Sequence, residues 1–197
     1  QEYKDETDFE TVFVDLFIKP LPALTAWLTG ESYHVKRFIN QQMKNKLAEI
    51  LKKEEFDIVQ MESIFLTPYV PLVRKLSKAK VVLRSPNVEN MIWKRTYKAT
   101  KNPLKRYYLK HLALTLEYYE KENINQYDAI FPVTDVDANY FIENGYRKLC
   151  KAVAVGIETP EFIPDVLEEE NSIFHSGSMN WFPNEQGIKW FLESCWK

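Results

Sequence analysis

Apolar positions up to Gly156 alternate between short solid blocks and longer stretches of helical spacing. "TVFVDLFI" at 11–18 is such a block and predicts a strand, broken by Pro20 and Pro22. Residues 33–55 carry Phe38, Met43, Leu47, Ile50 and Leu51 near helical spacing and predict an amphipathic helix. "FDIVQME" at 56–62 predicts a short buried strand. Residues 69–78 predict a helix with Pro71 in its first turn, where a missing N–H is tolerated. "KVVLR" at 80–84 is the next strand, and a helix follows to about Thr100. After "KNP" at 101–103, residues 104–125 predict a long helix and "YDAIFPV" at 127–133 a strand. Residues 134–145 form the next helix, with Thr134 as N-cap, Asp137 three residues on, and Gly145 as its stop. "CKAVAV" at 150–155 predicts a strand ending at Gly156. Residues 158–171 are Pro-rich and acidic and read as a linker. "SIFHSG" at 172–177 and residues 183–196 predict one more strand and helix.

Strands alternating with helices, too far apart for hairpins, predict the α/β class, a Rossmann-like parallel sheet flanked by helices. Blocks without alternation suit strands covered on both faces. Ligands of such sheets bind beyond the carboxyl ends of the strands. Those ends are Glu62, Arg84–Glu89, Thr134–Asp135, Gly156 and Ser176–Ser178. The last strand and helix are too little to close a domain of their own.

Composition adds constraints. The chain has 197 residues, 45% apolar, enough for a sizeable core. A net charge of -2 argues against a polyanion binder, but the charge is uneven. No acidic residue lies between Asn90 and Thr115, while Lys94, Arg95, Lys98, Lys101, Lys105, Arg106 and Lys110 are basic and interleave with Trp93, Tyr97, Tyr107 and Tyr108. That surface suits anionic lipid headgroups better than nucleic acid, since no nucleic-acid recognition motif accompanies it. A solvated helical face is the plainer alternative. Cys150 and Cys195 form no CxxC pair and suit a reducing compartment. His34, His111 and His175 have no metal-ligand spacing, and no apolar run is long enough to span a bilayer. No GxGxxG appears, which argues against a nicotinamide dehydrogenase.

"FDIVQME", "LRSPNVENMIWKR", "YDAIFPVT", "AVGIETPEF" and "FHSGSMNWFPNEQGIKWF" occur in this order. Together they resemble family 4 retaining glycosyltransferases of the GT-B fold, in particular bacterial members that build surface polysaccharide and lipid-linked glycans. Such members carry an Arg–x–His–Asn–Val–Glu motif after a strand and a "GSM(D/N)WxPN" loop opening the second domain. The resemblance runs through nearly all of the chain from about Thr11. It implies a fragment: an acceptor-side domain at 1–157 lacking its first strand and Gly-rich loop, a linker at 158–171, and the first strand and helix of a donor-side domain at 172–197. The family's diphosphate-binding Arg and Lys and its Glu-x7-Glu motif are expected beyond Lys197, so the fragment alone is expected to be inactive. The resemblance also implies transfer of a hexosyl unit, mannosyl by analogy, from a nucleotide-diphosphate sugar as co-substrate to a glycan or lipid-linked acceptor. No cofactor and no metal are implied. A cytoplasmic enzyme touching the inner membrane face through 94–110 is expected.

Acceptor and cleft contacts are expected from Glu62, Arg84, Ser85, Asn87, Glu89 and Thr134, and donor contacts from Ser176, Gly177 and Ser178. Each has a plainer explanation. Ser85 as N-cap, Pro86 at the first helical position and Asn87 and Glu89 in the first turn would make an ordinary helix start. Glu62 suits an ordinary surface carboxylate, Thr134 a cap, and Gly177 a tight turn. His111 and His175 are expected to be structural, and Trp181, Trp190 and Trp196 to pack. At Pro86 the chain departs from the family, whose histidine stands there. Proline's side chain can make no hydrogen bond, so no catalytic residue is assigned. A GT-B nucleotide-sugar epimerase and a non-catalytic α/β binding module remain alternatives.

Overall fold

The computed structural model describes residues 9–156, 172–179 and 182–196. The chain divides into two compact units, Gln1–Gly156 and Ile157–Lys197.

In the first unit, β1 (Ile58–Met61), β2 (Lys80–Ser85), β3 (Ala129–Pro132) and β4 (Leu149–Cys150) form one sheet in chain order. Each neighbouring pair is parallel. The solid apolar block of β2 is explained by burial: Val81, Val82 and Leu83 are all buried, so this strand is covered on both faces. The block at 56–62, expected to be a buried strand, buries only Met61 within β1, and Ile58 is exposed. Between the strands run α4 (Val70–Leu76), the antiparallel pair α5 (Glu89–Ala99) and α6 (Pro103–Asn123), and α7 (Asp135–Glu143). Ahead of the sheet lie α1 (Pro20–Thr29), α2 (Tyr33–Lys36) and α3 (Gln41–Lys53). This is an α/β fold: a parallel sheet flanked by helices.

The core joins Val81, Leu83 and Ile130 of the sheet to Leu51, Val73, Ile124, Phe141 and Tyr146. Buried tyrosine hydroxyls are accommodated by hydrogen bonds. Thr67 donates to the Ile64 carbonyl at 2.6 Å and shares a 2.6 Å bond with the Tyr127 hydroxyl. A second cluster joins Ala26 and Tyr33 to Leu109 and Leu112, with Trp93, Tyr97 and Tyr108 against it.

Several expected elements differ. Residues 11–18 are not a strand. Among the described residues no strand pairs with them, and Phe13 and Phe17 face solvent. The segment is held instead by side chains that reach its carbonyls, Asn40 to Phe13 and Arg37 to Leu16. Pro20 and Pro22 do not merely end that block. They open α1, where two prolines fit the first turn. The helix expected over 33–55 is split by Tyr69, whose hydroxyl accepts from the Asn40 N–H at 2.9 Å and donates to the Phe38 carbonyl. Asn40 then caps α3 through Met43 N–H. The strand expected over 150–155 is regular only at Leu149–Cys150. Two further bonds, Lys151 to Ile130 and Val153 to Pro132, carry the backbone on beside β3. Gly145 ends α7 region with φ 98°, a conformation that favours glycine.

In the second unit, the strand expected over 172–177 is absent. Residues 172–179 are irregular and exposed. A helix, α8 (Phe182–Ser194), follows. The linker expected over 158–171, and Trp181, lie outside the described residues.

Candidate functional site

The parallel register brings the ends of β1, β2 and β3 to one edge. Met61 stands opposite Leu83 and Ser85 opposite Pro132, so Glu62 emerges beside Arg84. Their side chains meet. The Arg84 Nη1 lies 2.8 Å from the Glu62 Oε2. Gln60, one position in from the end of β1, donates to the other Glu62 oxygen. The Arg84 guanidinium, helped by Gln60, holds the Glu62 carboxyl below its usual range. Glu62 is thus an ionised, outward-facing acceptor, and the pair with Glu62 engages only one nitrogen of the Arg84 guanidinium.

The helix start expected at Ser85 is corrected. Ser85 is the last residue of β2, paired with Pro132 of β3 and buried. Its hydroxyl donates to the Asn87 carbonyl at 2.7 Å and so folds the turn rather than capping a helix. The N-cap is Val88, which has no capping side chain, and Glu89 begins α5. Ser85 and Val88 being inward, Pro86 and Asn87 form the exposed tip of the turn. Of the residues expected to line this edge, Asn87 and Glu62 present polar atoms outward and Ser85 does not.

Behind the tip lies a polar network that the sequence did not single out. Asn90 is completely buried. Its backbone N–H donates to the Glu120 Oε1 at 3.1 Å, and its side-chain amide reaches the Glu120 Oε2 and, at 2.8 Å, the Tyr140 hydroxyl. Burial pushes the Glu120 carboxyl up to about 7, against the pull of the Asn90 hydrogen bonds, with Glu89 and Glu117 adding repulsion. Burial likewise raises the Glu89 carboxyl. Lys94 answers part of this charge through a 2.8 Å pair with Glu117. A signal was present: Leu109, Leu112, Ala113 and Leu116 make the buried stripe of α6, and Glu120 falls on it at helical spacing.

Thr134 stands at the end of β3, but its hydroxyl is engaged. It accepts from Asp137 N–H at 3.1 Å and donates to the Asp137 carboxylate at 2.9 Å, which caps α7. His34 was expected to carry no metal. It is buried against Trp93, ring centroids 4.0 Å apart, with its Nε2 unpartnered. Burial, with Arg37 adding repulsion, lowers it to about 4, so the ring is neutral near pH 7. Among the described residues no group of three or more His, Cys, Asp or Glu side chains could hold a metal ion. No helix of the described residues is long and apolar enough to cross a membrane.

In the second unit Ser176, Gly177 and Ser178 form an exposed loop. Asn184, in the first turn of α8, donates to the Ser178 carbonyl at 3.0 Å. A Cβ at Gly177 would stand 2.7 Å from the Asn184 amide and 2.9 Å from the His175 Nε2, so a larger residue would push these two side-chain ends aside. His175 is exposed rather than enclosed in a strand, which corrects its expected structural role there. Trp190 is exposed too, and Trp196 lies against Phe191.

Compared with protein-family models, with curated proteins and with solved structures, the chain matches none.

Proposed function

We propose that this protein transfers a hexosyl unit from a nucleotide-diphosphate sugar to a glycan or lipid-linked acceptor, with retention at the anomeric carbon, as a GT-B enzyme. The bond from the anomeric carbon to the diphosphate oxygen breaks, the acceptor oxygen takes that carbon, and the acceptor's proton passes to the departing diphosphate oxygen. The observation that carries the reading is the Arg84–Glu62 pair beside the exposed tip Pro86–Asn87, on the carboxyl edge of a parallel sheet. Glu62 accepts hydrogen bonds from sugar hydroxyls, and Arg84 and Asn87 donate to them. The Gly177 loop suits the donor's phosphates, whose departure needs backbone N–H groups and positive charge aimed at the developing anion. A second reading, a non-catalytic binding module, is favoured by Pro86, which cannot supply the histidine of the family the chain resembles.

The test is a nucleotide-release assay on the protein as expressed from its own gene, with a panel of nucleotide sugars and glycan acceptors. Release coupled to glycan extension, lost in Arg84→Ala, is the expected outcome. Saturable nucleotide-sugar binding without turnover would establish the binding module. Inversion of the sugar without transfer would establish an epimerase.

A further inference from the structure

Two exposed apolar surfaces meet beside the basic stretch. The first is the outer face of α1. This ten-residue helix carries no charge, and Leu21, Leu24 and Leu28 project from it at 75%, 51% and 69% exposure. Phe17 and Ile18, just ahead of it, are exposed as well. The opposite side of α1 is satisfied, with Ala26 wholly buried among Leu109, Leu112 and Tyr33. The second surface lies along α6. Leu104, Tyr107, His111, Leu114 and Tyr118 recur at alternating steps of three and four, one face of a helix. All but His111 are well exposed, although α6 already buries a different stripe in the core. Trp27 of α1 meets His111 of α6 edge to face, centroids 6.1 Å apart, which joins the two surfaces.

Charge decides what covers them. Lys98, Lys101, Lys105, Arg106 and Lys110 are exposed around this surface. Among the described residues none of them has an ion-pair partner, whereas Lys94 is tied to Glu117. A second copy of the chain docked on this face would set basic groups against basic groups, which opposes association. An anionic bilayer presents hydrocarbon to the leucines and negative headgroups to the lysines, and Trp27 and Tyr107 suit the boundary between them.

We propose that α1 and the exposed stripe of α6 form one membrane-docking face. The leucines of α1 enter the headgroup–acyl boundary of an anionic bilayer, and the basic residues of 98–110 hold the headgroups. The proposal rests on this geometry and charge, and is independent of the transferase reading.

Co-sedimentation of the protein with vesicles of phosphatidylcholine alone, and of phosphatidylcholine mixed with phosphatidylglycerol, tests it. Strong binding to the mixed vesicles and weak binding to the neutral ones is expected, falling with added salt. The triple change Lys101→Gln, Lys105→Gln, Arg106→Gln should lower partitioning by roughly a hundredfold, since each basic residue near the surface counts for about fivefold. Leu24→Asp with Leu28→Asp should lower it by at least about tenfold. Both sets are exposed, so the thermal melt should not move. Brominated lipid should quench the protein's fluorescence, and Trp27→Phe should remove most of that quenching. Equal binding to both vesicle types, or mixed-vesicle binding unmoved by the leucine changes, would overturn the proposal. So would a dimer seen by light scattering that the leucine changes dissolve, with no vesicle binding, because the face would then belong to a second copy.

Discussion

Glu120 accepts hydrogen bonds from both the backbone N–H and the side-chain amide of Asn90, thirty positions away in the chain. One carboxylate therefore fixes the first turn of α5 to the end of α6, directly behind the candidate site.

That arrangement has a pH signature. The Glu120 carboxyl titrates at about 7 in the folded protein against 4.5 in the unfolded chain. A raised folded value means that the stabilising form is fully present below pH 4.5 and is lost as pH rises through 7. The loss amounts to ~3 kcal/mol, at 1.36 kcal/mol per pKa unit. Glu120→Gln should remove this dependence, which urea denaturation at a series of pH values would read.

His34 works in the opposite direction. Its folded value, about 4, lies below the ordinary 6.5. Its contribution is complete above pH 6.5 and is lost as pH falls through 4. Between about pH 4.5 and 6.5 the two slopes oppose each other, so the wild-type protein should show little net change from this pair. His34→Phe should unmask a fall in stability with rising pH over that window, and Glu120→Gln a rise. Identical pH profiles for the two variants would contradict both assignments.

At the candidate site the expectation is a small effect on stability. Glu62 and Arg84 are 54% and 38% exposed, so solvent screens their attraction. A double-mutant cycle with Glu62→Gln and Arg84→Gln should give a coupling of about 0.2–1 kcal/mol. A much larger coupling would mean that the pair holds the fold together.

The Thr67–Tyr127 bond is a different case. Both residues are buried, and Thr67→Val would leave the Tyr127 hydroxyl without its partner. A loss of about 1–3 kcal/mol is expected from chemical denaturation. Thr67→Ser, which keeps the hydroxyl, should recover most of it.

Much of the fold was legible because periodicity reports burial. The solid runs of β2 and β3 and the long spacing of α6 each reflect how many faces the core covers. What escaped depends on contacts distant in sequence. The apolar block at 11–18 looks like a strand, but a strand needs a neighbour, and among the described residues none pairs with it. The split in the helix over 33–55 comes from the Tyr69 hydroxyl, some thirty residues downstream. At the candidate site, the meeting of Glu62 and Arg84 followed from the parallel sheet and was foreseeable as an edge. The local grammar of Ser85–Pro86 pointed to a helix start, yet the pairing of Ser85 with Pro132 extended the strand and displaced that start to Val88. Glu120 was readable from its stripe, but its partner Asn90 was not.

The turn between β2 and α5 has one further consequence. Ser85 is fastened in the sheet on one side, and Asn90 is fastened to Glu120 on the other, so neither end of the turn relies on the two residues at its tip. Pro86 and Asn87 can therefore be exchanged like a fitting between two fixed posts. The frame on either side stays unchanged whichever side chains the tip presents to solvent.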